Sequence, residues 1–360
     1  MTKPSKDRKR IPTVREVAAQ ANVSPTTVSY VANGRGRVSE ATRQRVVDAM
    51  KALGYAPNYH ARALVQRQTQ VIAVVIPRHA DAFTDPYFTQ LLRGIASQAE
   101  AVGYLLMIGN WPNGLNKDAE HRLLGHVDGV IVTEATLNEP GIRQLQEAHL
   151  PFVLVGGVQD PTIRDYVTTD GSDGMYQAVQ YLYRCGHQAI AFLASPMRYK
   201  YSVWRLEGYR KALVDLGLSY NAQLIVEGDA TEQGGFHATL ELLAHAEGMF
   251  SAIIASTDLM AIGAMRALQR KHLSVPEHIS LVGFDDSTPA QYTQPRLSTL
   301  RQDIVAVGKG VANMLIQKLT GRPYQSPIIL PVRLIIRDSV RVIPPKLIST
   351  ADDPKNLSKN

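Results

Sequence analysis

The hydrophobic positions of the chain follow two different spacings, and the change between them comes near residue 70. Before it, apolar residues recur at helical intervals, as in TVREVAAQANVS and VSEATRQRVVDAMKALGY. After it, short apolar runs such as VIAVVIP, DGVIVTEA, PFVLVGG and ISLVGF alternate with amphipathic stretches of about 10–15 residues. The pattern predicts a small all-α domain followed by a larger α/β domain.

The first part of the chain predicts three short helices. Thr13 opens a capping box at the first, and Ser24 and Pro25 suit the N-cap and the first position of the second. The third is expected to begin at Ser39 and to end at Gly54. A turn of about three or four residues between the first two is typical of a helix-turn-helix. A plain three-helix bundle is the alternative.

The larger part predicts parallel sheets, because strands that alternate with helices are joined by right-handed crossovers. About 270 residues exceed what one open sheet holds comfortably, so two similar lobes are expected, with the ligand site in the cleft between them. The predicted segments are a disordered basic tail (1–10), a helix-turn-helix domain (11–57), a hinge helix and linker (58–70), a two-lobed effector-binding and dimerisation domain (71–343) and a disordered tail (344–360).

Charge separates the two domains as clearly as periodicity does. The net charge is +7, but residues 1–70 hold 13 Lys and Arg against 4 Asp and Glu, and the remaining residues hold 26 against 28. The excess positive charge therefore belongs to the helical domain, which indicates a polyanionic partner, most simply DNA.

Other features narrow the class of protein. The single cysteine, Cys185, excludes an internal disulfide and a zinc site of several cysteines. No apolar run reaches the ~18 residues of a membrane span, and MTKPSKDRKR does not resemble a secretory signal. A cytoplasmic bacterial protein that works at the nucleoid is expected. No constellation of nucleophile, base and metal ligands was found, so no enzymatic activity, metal or cofactor is expected.

The second helix would enter the major groove of DNA if the helix-turn-helix interpretation is right. Its polar face is short and rich in hydroxyl groups, which lets base edges come close. The candidate contacts in this domain are Thr13, Pro25, Thr26, Thr27, Ser29, Tyr30 and Asn33. The following segment, YAPNYHARALVQRQ, is too short to be helical without a partner, and a plain linker is the alternative.

Residues 12–66 resemble the DNA-binding region of LacI-type (lactose and purine repressor) regulators, on TVREVAAQANVSPTTVSYVANG, VSEATRQRVVDAMKALGYAPN and NYHARAL. The resemblance implies a homodimer on a pseudo-palindromic, double-stranded DNA operator. It implies that paired hinge helices enter the minor groove, where Leu64 wedges between base pairs. The implied hinge contacts are Asn58, His60, Ala61 and Leu64. Tyr30 stands where many members have arginine.

The resemblance continues to about Val342, through DPYF, WRLEGYRKAL, STDLMAIGAMRAL, ISLVGFDDSTPAQYTQPRLSTLRQD and LIIRDSV. It implies a periplasmic-binding-protein-like fold whose chain crosses between the lobes three times, with a small-molecule effector in the cleft. Some members become tetramers through a C-terminal leucine heptad. The final stretch here, PPKLISTADDPKNLSKN, has no heptad, so a dimer is predicted.

The resemblance also assigns candidate effector ligands. Tyr87 and Phe88 match an aromatic pair, Arg205 an arginine that binds polar groups, and Asp258 an acid that binds adjacent hydroxyls. The alternatives are a core pair at a helix start, a surface arginine and a helix cap. Position adds three weaker candidates, Trp111, Tyr199 and Tyr201.

Ala230 stands where members of the family often have an aromatic residue, which leaves the effector class open. The sequence predicts a DNA-binding regulator that acts as a repressor and responds to a sugar or sugar derivative. A small-molecule-binding protein with an unrelated basic extension is the alternative.

Overall fold

The computed structural model describes residues 12–32, 36–55, 68–76, 83–110 and 125–344. The chain divides into two compact units, Met1–Gln70 and Val71–Asn360. The segment predicted as a basic tail lies outside the described residues, as do residues 58–67 of the predicted hinge helix and linker and nearly all of the predicted C-terminal tail. The same is true of six candidate ligands: Asn33, Asn58, His60, Ala61, Leu64 and Trp111.

The N-terminal unit contains the three expected helices, α1 (Val14–Ala21), α2 (Pro25–Ala32) and α3 (Glu40–Leu53). The capping box at α1 is present, because the Glu16 carboxylate accepts a 2.6 Å hydrogen bond from the Thr13 backbone N–H while Glu16 N–H donates to Thr13 Oγ1. Asn22 ends this helix in the left-handed region, at a φ of 52°. The short turn that follows is what allows α2 to cross α1.

The starts of the other two helices were also predicted correctly. Ser24 Oγ accepts a hydrogen bond from Thr27 N–H at 3.1 Å, and Ser39 Oγ accepts one from Thr42 N–H at 3.3 Å. One valine from each helix is fully buried at the centre of the unit: Val17, Val28 and Val46. This small shared core fixes how the three helices pack.

The first lobe of the second unit is built on a parallel sheet with the strand order β11-β5-β4-β3-β1-β2 in the described ranges. Its strands are β1 (Val71–Ile76), β2 (Leu105–Asn110), β3 (Gly129–Val132), β4 (Phe152–Val155), β5 (Tyr166–Thr169) and β11 (Ile328–Leu330). Helices α4 (Pro86–Glu100) and α10 (Ile304–Leu319) cover one face, and α5 (Pro140–Glu147) covers the other. Alternate side chains of the strands therefore enter two separate cores.

The second lobe repeats this design, with the strand order β12-β10-β9-β8-β6-β7. Its strands are β6 (Ile190–Ala194), β7 (Ile225–Glu227), β8 (Ala252–Ala255), β9 (Ser280–Asp285), β10 (Ser298–Arg301) and β12 (Arg333–Ile335). Helices α6 (Gly171–Arg184) and α7 (Lys200–Asp215) pack on one face, and α8 (Glu232–Ala246) and α9 (Asp258–Arg270) on the other. Short 3₁₀ helices occupy Ala222–Leu224 and Thr288–Gln291.

Three crossings join the lobes in the described ranges: β5 to α6, β10 to α10, and β11 to β12. The implied number of crossings is therefore confirmed. The prediction of parallel pairing fails at one place, since β12 runs antiparallel to β10. Only two residues separate β11 from β12, so the chain enters the second lobe at the cleft. Strand β12 must therefore run away from the cleft, opposite to β10.

The helices of the described ranges include none that combines the length and the hydrophobicity of a membrane span.

Candidate functional site

A cavity lies between the two lobes, at the carboxyl ends of their strands, and the empty space in and in front of it, open solvent included, is about 800 Å³. The ends of three strands supply Val155, Thr169 and Asp285, and the residue after β3 supplies Thr133. This is the place that the strand pattern predicted for a ligand.

Arg205 lies in the cavity wall and is 5% exposed. Its Nη1 donates to the Ser256 carbonyl oxygen at 2.6 Å and to Ser256 Oγ at 3.3 Å, and its guanidinium carbon lies 3.8 Å from the ring centre of Phe284. Its Nε is buried without a hydrogen-bond partner among the described residues. The interpretation as a surface arginine is wrong, and the remaining donors of the fork suit a polar ligand.

Asp285 is one of the acids that line the cavity, and it lies at the end of β9. Neighbouring residues of a strand, here Asp285 and Asp286, are expected to point to opposite faces. They do point apart, since Asp286 pairs with Arg301 and Arg337. Burial raises the pKa of Asp285 well above its usual value, and nearby Asp258 adds to the rise while Arg205 opposes it.

Aromatic side chains form the other part of the wall: Tyr87, Tyr201 and Trp204. Tyr87 is near the start of α4, where its backbone N–H donates to Asp85 Oδ1 at 2.8 Å. Burial raises the pKa of both Tyr87 and Tyr201, so each phenol keeps its proton and can both donate and accept. Such faces can stack on a sugar or a base ring.

Phe88 is a correction to the expected aromatic pair. It is 2% exposed and packs in the core of the first lobe beside Leu91 and Ile95. The spacing of these three residues places them on the inward stripe of α4, while Tyr87 faces the cavity. The alternative of a core residue at a helix start is correct for Phe88.

Tyr199 also lies outside the described wall of the cavity. Its ring stacks on that of Tyr201, with centres 5.3 Å apart and planes at 10°. Tyr199 therefore supports the side chain that reaches the cavity instead of reaching it directly.

Asp258 is the second correction. It is fully buried beneath the cavity, where Oδ1 accepts a 2.5 Å hydrogen bond from Thr299 Oγ1 and Oδ2 accepts one of 2.7 Å from Ser287 N–H. The N-cap of α9 is Thr257, whose Oγ1 accepts from Met260 N–H at 3.1 Å and which does line the cavity. The sequence missed Thr257, although its place before an apolar helix was the signal.

The polar face of α2 is exposed as expected, while Val28 and Val31 face the core of the N-terminal unit. Pro25, Thr26, Ser29 and Tyr30 are exposed, with Tyr30 at 48%. Thr27 is half-buried, and its hydroxyl bonds to Ser24 Oγ at 2.9 Å, so this hydroxyl serves the helix start. Thr13, beside α1, is exposed within its capping box.

The ring of Tyr30 lies beside Gly36, whose φ is +80°. A Cβ at that position would lie 3.0 Å from the ring, so the absence of a side chain makes room for Tyr30. Exposed cations of the same unit are Arg15, Arg37, Arg45 and Lys51. A short neutral face flanked by such charges suits base edges between phosphates.

Comparisons with known proteins agree with this two-domain organisation. The family model described as "Bacterial regulatory proteins, lacI family" matches residues 13–58, and the one described as "Periplasmic binding protein-like domain" matches residues 179–340. The HTH-type transcriptional regulator CelR of Thermobifida fusca is 36% identical over 346 residues, which cover 93% of this chain and 98% of CelR.

Two solved structures extend the similarity to the fold. A transcriptional regulator CelR–cellobiose complex is 33% identical with a TM-score of 0.69, over 91% of this chain and 99% of that one. The lac repressor dimer bound to operator and the anti-inducer ONPF is 30% identical with a TM-score of 0.81, over 92% and 100%. Because these similarities span both the helical domain and the two lobes, the chain belongs to the LacI family of bacterial transcriptional regulators.

Proposed function

We propose that this protein binds a pseudo-palindromic operator as a homodimer and represses transcription, and that a neutral sugar between its lobes sets its affinity for the operator. It would meet that operator in the bacterial cytoplasm, at the nucleoid. The observation that carries the proposal is the hydrogen-bonded link between the cavity and the crossings of the chain, through Asp285, Gln302 and Thr169.

The chemistry of the cavity favours a neutral, hydroxyl-rich ligand. Its described wall contains the acids Asp85, Glu134 and Asp285 against one cation, Arg205. The raised pKa of Asp285 favours its neutral form, so an anionic ligand such as a sugar phosphate would meet chiefly the acids Asp85 and Glu134. Sugar hydroxyls can donate to carboxylates and accept from a guanidinium, while aromatic rings pack against the sugar ring.

DNA binding is assigned to the exposed face of α2, with Pro25, Thr26, Ser29 and Tyr30 near the base edges. The cations of the same unit would contact phosphates and make binding strongly dependent on salt. The proposed contacts of Asn33, Asn58, His60, Ala61 and Leu64 rest on the family resemblance alone.

Coupling between the two sites would run through the crossings. Gln302 lies in the second crossing and bonds both to Asp285 in the cavity and to Thr169, which precedes the first crossing. A ligand that engages Asp285 would change how the two lobes close. Closure would then alter the spacing of the two linkers in the dimer and with it the affinity for the operator.

Dimer formation is supported by the exposed edge of the first lobe. Strand β2 is the outer strand of its sheet, and it exposes Leu105, Met107 and Ile108. An exposed apolar edge is normally covered, and a second copy of the chain is the proposed cover. Analytical ultracentrifugation of Met107→Lys should then show more monomer than the wild-type protein.

The whole proposal can be tested by selecting duplexes from a random DNA library with the purified chain, followed by anisotropy titrations with and without sugars. We expect an enriched pseudo-palindrome, a steep salt slope and an affinity that a bound sugar changes by about 5–150-fold. The proposal fails if no sequence is enriched. It also fails if a sugar that saturates the protein leaves operator affinity unchanged.

A further inference from the structure

Tyr30 carries a large ring on the outer side of α2, away from the core of the N-terminal unit. It is 48% exposed, so about half of its surface is covered. Part of that cover is Gly36, which lies between α2 and α3. A Cβ built on Gly36 would lie 3.0 Å from Cδ2, 3.1 Å from Cγ and 3.4 Å from Cβ of Tyr30. The near half of the ring therefore rests against the backbone of another part of the unit.

Both partners of this contact are anchored to the same small core. Tyr30 is followed by Val31, which is 9% exposed and packs in that core. Two residues after Gly36, Val38 packs against the core from the other side of the contact, and Ser39 then caps α3. The ring and the glycine beneath it are thus held by elements that cannot move apart without opening the core.

Glycine at position 36 serves two purposes. Its φ of +80° lies in the left-handed region, which glycine adopts without strain. Its missing Cβ also leaves the space that Tyr30 fills, and the atoms concerned include Cβ and Cγ, which lie close to the helix backbone. A methyl group here would force the ring to turn about its Cα–Cβ bond, which has two main rotamers in a helix, or would push the loop away. Gly36 therefore fixes how the ring lies on α2.

The orientation of a tyrosine decides what it can read in a DNA groove. Its single hydroxyl forms a hydrogen bond with a base edge only within about 2.5–3.0 Å and in a suitable direction. A tilt of the ring at Cγ is largest at the hydroxyl, which is the far end of the side chain. A side chain that is held before binding also loses less rotamer freedom when it binds. The contact with Gly36 thus prepares Tyr30 for one arrangement of bases.

We propose that Gly36 is a positioning residue for operator recognition, which acts through Tyr30 and not through a contact of its own with a base. By holding the ring in one orientation on α2, it sets which base edge the Tyr30 hydroxyl meets. This inference rests on the proposed function, because it requires the exposed face of α2 to enter the major groove. A glycine that served only the left-handed turn would have no effect on sequence preference.

The test compares Gly36→Ala with Gly54→Ala in the full chain, by selection from a random DNA library and by anisotropy. Gly54 ends α3 at a φ of +65°, and no atom of the described residues lies within 4 Å of the Cβ that an alanine would have there. Both substitutions therefore carry the strain of a positive φ, and both should lower Tm. Only Gly36→Ala places a methyl group against Tyr30.

We expect Gly36→Ala to weaken the operator of the wild type by about tenfold and to change the selected consensus, while its affinity for random duplexes stays within about threefold. Gly54→Ala should select the consensus of the wild type. In a Tyr30→Ala background, Gly36→Ala should alter operator affinity by less than about threefold, because no ring is left to displace.

A second pair of variants guards against misfolding. If Gly36→Ala does not fold by circular dichroism, Gly36→Asn and Gly54→Asn take the place of the alanine variants. Asparagine tolerates the left-handed region and still brings a Cβ to the ring. The same changes in operator affinity and consensus are then expected of Gly36→Asn alone.

The outcomes separate this inference from the proposed function. A Gly36 variant that folds and selects the consensus of the wild type overturns the inference, as does one that weakens the operator equally with and without Tyr30. Either result leaves a sequence-specific regulator whose Gly36 serves the turn alone. A wild-type protein that enriches no sequence overturns the proposed function, and that result appears before any variant is compared.

Discussion

Gln302 donates a 2.6 Å hydrogen bond from Nε2 to Oδ1 of Asp285, and its own Oε1 is hydrogen-bonded by Thr169 Oγ1. All three side chains line the cavity. One amide thus connects a buried acid of the second lobe to the end of β5 in the first, at the point where the chain crosses between them. A ligand that competes for Asp285 must disturb this link.

Replacing Gln302 should therefore uncouple the effector cavity from the DNA-binding domain. We expect Gln302→Leu to retain effector binding within about tenfold, while the change in operator affinity caused by the effector falls towards none. Paired titrations of sugar binding and of operator binding measure the two effects separately. Gln269→Leu, at an exposed position of α9, is the matched control. Normal coupling in Gln302→Leu would mean that the crossings communicate by another route.

Arg205 should be the strongest single contributor to effector binding in the cavity. A lysine keeps the charge but lacks the fork, so we expect Arg205→Lys to weaken the effector by about 100-fold and to leave operator affinity in its absence unchanged. Calorimetry and anisotropy check the two expectations. Arg210→Lys on the same helix is exposed, bonds to Tyr220 and should behave like the wild type. Equal losses of effector affinity in Arg205→Lys and Arg210→Lys would contradict a specific role of Arg205.

Asp258 should make the stability of the protein depend on pH. Burial raises its pKa from 3.8 to about 6, so the folded state binds this proton more tightly than the unfolded state. The free energy of unfolding should therefore fall as the pH rises from about 4 to about 6, and the contribution of Asp258 should be constant above that range. An asparagine can accept from Ser287 N–H and donate to Thr299, so Asp258→Asn should fold and lose most of this dependence.

The stability of the wild type relative to Asp258→Asn should therefore decrease as the pH rises over that range. Urea denaturation at intervals between pH 4 and pH 7 measures it. Asp215→Asn is the control, because the Lys211 hydrogen bond lowers the pKa of that exposed acid and its effect lies at lower pH. Parallel stability curves for wild type and Asp258→Asn would refute the raised pKa.

Tyr30 should influence which operator is chosen more than how tightly DNA is bound. Its ring is half exposed on α2 and rests over Gly36, so it presents one hydroxyl and an aromatic edge. Tyr30→Arg would add a charged fork suited to guanine, and we expect a changed consensus in a library selection. Affinity for random DNA should rise by less than about tenfold.

Glu40→Gln, on α3, supplies the matched control for a change of one charge unit at an exposed position. It should raise affinity for random duplexes without altering the selected consensus. An unchanged consensus for Tyr30→Arg would show that Tyr30 faces the DNA backbone.

The elements of the fold could be read from the chain because their signals are local. The caps at Thr13, Ser24 and Ser39 and the left-handed stop at Gly54 depend on residues a few positions apart, and each was found where it was expected. The antiparallel β12 was not predicted, since its direction depends on where the chain re-enters the second lobe.

The cavity was only partly predictable. Its location at the strand ends, and Tyr87, Tyr201 and Arg205 in its wall, followed from pattern and resemblance. Phe88 and Asp258 were assigned to it wrongly, because a difference of one helical position decides between the core and the cleft.

The sequence by itself determined the two domains, the separation of charge between them and the residue types that a cleft could use, because periodicity and composition are properties of short windows. The tertiary structure decided which of two adjacent acids, Asp285 or Asp286, enters the cavity. It also decided that Gln302 spans the lobes. These relationships join residues far apart in the chain, and the packing of the two sheets alone brings them together.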